Sequence, residues 1–161
     1  MILKFVWNIR RIYRILFQGC LGGRVTGMDL IVTDKNGIEV KCLYYGYKKE
    51  NLVSNSKTLQ CGDVLTVSNQ GKYIVGVGWF VLISVNEKIK DYMWVKKLEE
   101  AINSDKVMPI IDCMLDYFNL SFQLDKALES RNKQLFLSLS EKKKELSFLY
   151  DRISGKIPVG S

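Results

Sequence analysis

The apolar residues of this chain change period twice, and that change constrains the fold more than any other feature. Up to about Gln18 they recur at helical spacing; from Met28 to Val95 they alternate or form short blocks, as strands do; from Lys96 the helical period returns. At 161 residues the chain has the length of a single domain or slightly more. These features predict an α+β protein: a small antiparallel β-sheet or SH3-like partly closed barrel, followed by a C-terminal helical hairpin and preceded by a basic amphipathic N-terminal helix. The expected boundaries are 1–27, 28–103 and 104–161.

Within the β-rich part, Asp34-Lys35-Asn36-Gly37 reads as a turn, because asparagine and glycine tolerate positive φ, and it is expected to join the strands on either side as a hairpin. Residues 48–60 lose periodicity and read as a surface loop. Asn69-Gln70-Gly71 reads as a turn, and Tyr73 to Val85 as one long apolar strand in which Gly76 and Gly78 mark a bend, a bulge or a close backbone approach. Asn86-Glu87-Lys88 is a further turn, leading into Ile89–Val95.

The helical part opens with Lys96–Asn103. Ser104 or Asp105 is expected to cap a second helix with Pro109 in its first turn and Ile110, Ile111, Met114, Leu115 and Phe118 as its packing stripe, ending in a break near Asn119-Leu120-Ser121. Beyond it, Leu124, Leu128, Leu135, Leu139, Leu146 and Leu149 recur at helical spacing around a turn at Ser130–Asn132, where Asn132 can cap the last helix.

Function is bounded first by what is missing. There is no histidine, which removes the histidine-based nucleophile arrangements, histidine metal ligands and the usual base near neutral pH. Cys20, Cys42, Cys61 and Cys113 form no C-x-x-C pair, so no zinc or redox site is expected; they read as reduced thiols of a cytoplasmic protein. Asp112 and Asp116 share a helix face but lack a third carboxylate at usable spacing. Gly76-x-Gly78 sits inside a strand pattern without the helix and lysine of a phosphate loop, and Lys142-Lys143-Lys144 is flanked by Glu141 and Glu145, as on a solvated helix face. No enzyme activity, cofactor or metal is expected.

The net charge of +7 is unevenly placed: five of the seven net positive charges come from Lys4, Arg10, Arg11, Arg14 and Arg24 in the first 27 residues, which hold no acid. Three readings of that segment are open: an amphipathic helix that packs on the fold or meets another chain, including a second copy, for which the C-terminal hairpin is the other expected contact; a helix on an anionic membrane surface; and untranslated sequence ahead of a true start at Met28. The body beyond it is nearly neutral, which argues against a nucleic-acid track.

The string Leu124-Asp125-Lys126-Ala127-Leu128, followed by Glu129, Arg131-Asn132, Phe136 and Leu139, resembles the IDEAL domain, a short helical module of Bacillus-type bacteria and their phages. The likeness covers about residues 120–150, with a looser one at Tyr92-Met93-Trp94-Val95. It departs at Leu124 for isoleucine, at Lys126 for glutamate and at Asn132 where an acid is usual. The resemblance implies a regulatory or interaction role. The leading expectation is therefore a non-catalytic protein-binding module, acting as a regulator, an adaptor or a phage-encoded inhibitor of a host system, with Leu124, Asp125, Ala127, Leu128, Phe136, Leu139 and Trp94 at the partner surface. The alternative is a nucleic-acid binder that stacks bases on Tyr44, Tyr45, Tyr47 and Tyr73 beside Lys41, Lys48, Lys49 and Lys57.

Overall fold

The computed structural model describes residues 27–45 and 52–155. The chain divides into two compact units between Val107 and Met108, a few residues beyond the boundary expected from the sequence.

The first unit is a curled antiparallel half-barrel. Its strands are β1 (Met28–Val32), β2 (Ile38–Tyr45), β3 (Leu52–Leu59), β4 (Val64–Ile74), β5 (Gly78–Val85), β6 (Ile89–Trp94) and the start of β7 (Val107–Pro109), which crosses the division, in the order β3-β2-β6-β5-β4-β1-β7. The order is linear, with β3 and β7 as its two ends. Helix α1 (Val95–Asn103) follows β6 directly and packs on β2, β5 and β6. One face of the sheet buries Leu30, Val32, Leu65, Val81, Ile83 and Met93 with Leu98 and Ile102 of α1. Each such aliphatic side chain contributes roughly 1.5–3 kcal/mol on burial, so this cluster is the main source of the unit's stability.

The structure departs from four local expectations. The Asp34–Gly37 turn is real: Gly37 N–H donates to Asp34 O at 3.0 Å, Asn36 N–H donates to Asp34 Oδ1 at 2.9 Å, and Gly37 has φ +73°. Yet the strands it joins do not pair as a hairpin: β1 pairs with β4, while β2 pairs with β3 and β6. A Cβ at Gly37 would lie 2.4 Å from Leu59 O, so the turn is pressed against the end of β3 rather than closing β1 on β2. The expected loop 48–60 contains β3, paired with β2 from Ile38↔Leu59 to Tyr45↔Leu52. Asn69-Gln70-Gly71 is no turn but lies inside β4, where the register to β5 shifts between Val67 and Gly71. The true reversal lies five residues on: Val77 N–H donates to Ile74 O at 3.0 Å around Gly76 at φ +80°, splitting the single expected strand into β4 and β5.

The second unit is a helical hairpin of α2 (Ile110–Glu129) and α3 (Lys133–Ile153). Neither Ser104 nor Asp105 caps α2, because Asp105 turns the chain at φ +54° and residues Val107–Pro109 are spent on β7; Pro109 occupies the cap position. The expected break at Asn119–Ser121 is absent. That stretch has neither glycine nor proline, and Ser121 Oγ–H donates to Tyr117 O at 3.0 Å, so its hydroxyl bonds within the helix instead of ending it. The turn at Ser130–Asn132 is as read: Arg131 takes φ +53° and Asn132 Oδ1 accepts from Leu135 N–H at 3.1 Å, capping α3.

Candidate functional site

The hairpin is held by a cluster of Leu124, Ala127 and Leu139, with Leu120 and Phe136 partly buried against it. Ala127 keeps the contact close, being nearly inaccessible at 1% exposure. Farther along, Tyr117 of α2 stacks on Tyr150 of α3 with centroids 4.2 Å apart and planes 10° apart, and Lys143 Nζ lies 5.3 Å from the Tyr117 centroid. Thus Lys143, from the three-lysine run, adds a cation–π contact to the helix pair.

Burial sorts the expected partner residues. Leu124, Ala127 and Leu139 are interior residues of the hairpin and are corrected from surface to core, since a side chain enclosed between two helices has nothing left to offer a partner. Leu128 is 57% exposed, Asp125 is exposed and Phe136 is half-buried. Among the described residues Asp125 makes no ion pair with Arg131 or Lys133. Trp94 belongs to the other unit, at the junction of β6 and α1, with Lys96 Nζ 5.7 Å from its ring centroid.

At the turn, Ala127, Leu128, Arg131, Asn132, Lys133 and Phe136 line a hollow of about 290 Å³. Two cations and no acid are among its lining residues, beside the apolar surfaces of Leu128 and Phe136. Arg131, Asn132 and Lys133 were not singled out as binding residues from the sequence. The signal was the turn itself, which places three polar residues side by side at the open end of two apolar helices.

The sheet offers less to a nucleic acid. Lys57 is paired with Asp91, which is 4% exposed, so its charge answers a buried carboxylate rather than facing solvent as expected. Of the other residues in that reading, the side chains of Tyr44 and Tyr45 and all of Tyr47, Lys48 and Lys49 lie outside the described residues. Lys41 is exposed on β2. Tyr73 is exposed too, but it meets Trp79 with centroids 5.4 Å apart at the end of the β4–β5 hairpin, where Val75 and Val77 are also exposed.

One sequence signal resolves differently from expectation on α2. Its packing side is Leu120, Leu124 and Ala127, whereas Ile111, Leu115 and Phe118, expected to pack, stand exposed with Phe122. Among the described residues no group of three or more histidine, cysteine or carboxylate side chains is placed to hold a metal ion, and no helix is long and apolar enough to cross a membrane. No protein family, curated protein or solved structure is matched by this chain.

Proposed function

We propose that this chain works by binding another protein rather than by catalysis, through the turn end of the α2–α3 hairpin, as a regulator, adaptor or inhibitor. The observation that carries this reading is the hollow at the turn, in which apolar Leu128 and Phe136 stand beside the cations Arg131 and Lys133. That chemistry fits a peptide segment carrying an apolar side chain next to a carboxylate: the apolar group is desolvated on Leu128 and Phe136, and the guanidinium supplies a directional, charge-assisted pair. The likeness to the IDEAL module falls on the same turn and supports the same reading.

The test is capture of a stoichiometric protein from a Bacillus-type lysate by the full chain, compared with Leu128→Asp, Arg131→Glu and a control on α3, Lys144→Glu, each checked for helicity. The reading requires capture by the parent and the control, and loss of at least tenfold in both hollow variants. Capture that survives both hollow variants moves the partner site elsewhere.

A further inference from the structure

Helix α2 is apolar on two opposite sides. At 3.6 residues per turn, Ile111, Leu115, Phe118 and Phe122 project roughly 180° away from Leu120, Leu124 and Ala127, the side that packs on α3. Their spacing of four, three and four residues is the 3.5-residue period of a helix-pairing seam, running about 16 Å along the axis. All four are between 53% and 58% exposed, although Phe118 also sets an edge against Tyr150 at 5.9 Å. A solvated helix carries one apolar stripe; a second, continuous one asks for a cover.

We infer that the cover is α2 of a second copy of this chain, packed antiparallel across a twofold axis between Leu115 and Phe118. Three observations favour this occupant. The seam reads the same in both directions, so an antiparallel copy sets Ile111 against Phe122 and Leu115 against Phe118 with no mismatched position. The charges beside it are also complementary under that symmetry. Asp112 and Lys126 flank the same side of the stripe at opposite ends, and Lys126 Nζ is drawn back over the Phe122 ring, 4.4 Å from its centroid. In the antiparallel pair this ammonium comes level with Asp112 of the other copy, once at each end. A parallel pair instead puts the two copies of this flank on opposite sides of the seam, with Asp112 and Lys126 at opposite ends, so neither charge finds its counterpart. The area, finally, suits a modest dimer: four such half-exposed side chains offer on the order of 500 Å² per copy, or about 1,000 Å² in all, at the lower end of specific interfaces.

This surface is distinct from the hollow at the turn, so the two ideas fail separately. Sedimentation velocity of the full chain from about 1 to 200 µM is expected to show monomer converting to dimer in the micromolar range. Phe118→Asp should remain monomeric throughout with its helicity intact, while Leu128→Asp should dimerise like the parent. At low salt, Asp112→Lys and Lys126→Glu should each weaken the dimer several-fold and the double variant should recover it. A parent that stays monomeric to 200 µM overturns the inference, and if Phe118→Asp then also lowers the stability of that monomer, the cover is another segment of the same chain. Association unaffected by Phe118→Asp places the contact elsewhere, and failure of the double charge variant to recover rejects the antiparallel arrangement.

Discussion

Two thiols in this molecule are buried and hold their protons more tightly than an exposed thiol does. Burial is the main cause raising Cys42 and Cys113 from an ordinary value of 9.0 to about 11, helped by the nearby carboxylates of Asp91 and Asp116 respectively. Because the folded chain holds these protons while the unfolded chain releases them, the associated stability is complete below about pH 9 and is lost as pH rises towards 11. Cys113→Ala is therefore expected to make the fall of the thermal midpoint between pH 9 and 11 shallower than in the parent. At pH 8, alkylation should reach Cys61, which is half-buried, well before Cys42 or Cys113, and mass spectrometry with and without denaturant reads the order. Asn132→Ala removes the α3 cap and should lower stability by about 1 kcal/mol in denaturant unfolding. Its neighbour behaves oppositely: Arg131 sits at φ +53°, where glycine is unstrained, so Arg131→Gly should fold at least as well as the parent while losing the cation of the hollow.

The elements differ in how far they could be read from the sequence. Strand and turn chemistry was legible wherever it is local: Asn86 and Glu87, at φ +48° and +61°, form the tight β5–β6 connection, and Asn132 caps α3. What was not legible depends on partners distant in sequence. Nothing within Asp34–Gly37 states that β1 will pair with β4, and β3 hides in a polar string because a strand at the end of a sheet is not obliged to bury both faces. Gly71 and Gly76 give the same local signal, yet the first marks a register shift and the second a chain reversal. On α2 one stripe, from Ile110 to Phe118, was read as the packing side, but only the position of α3 decides which side of the helix is interior. The same contact explains why the five apolar partner residues expected on the hairpin, Leu124, Ala127, Leu128, Phe136 and Leu139, divided as they did: an apolar residue at helical spacing is core or surface according to its angle, and Leu124 and Leu128 differ by enough to fall on either side of the line. Leu139→Ala should consequently destabilise the hairpin by about 2–4 kcal/mol, and Ala127→Leu by about 1–3 kcal/mol through overpacking, whereas Leu137→Ala, on an exposed position of the same helix, should change little; urea unfolding distinguishes the three.

Over the whole molecule, charge and strand edges set how it meets its surroundings. Five of the seven net positive charges lie in the first 27 residues, so any retention on DNA or RNA should fall steeply with salt in the full chain, and starting the chain at Met28 should reduce the slope of log K against log salt by about four. Retention that persists without those residues would instead point to the sheet. The ends of that sheet carry a consequence of another kind. Strand β7 is three residues long and stops at Pro109, which has no N–H to donate, and β3 exposes the polar Asn55, Ser56 and Thr58 along its length. A short, proline-ended strand at one end and a polar strand at the other are poor templates for a further strand, so concentrated protein is expected to form no fibres and to bind no amyloid dye.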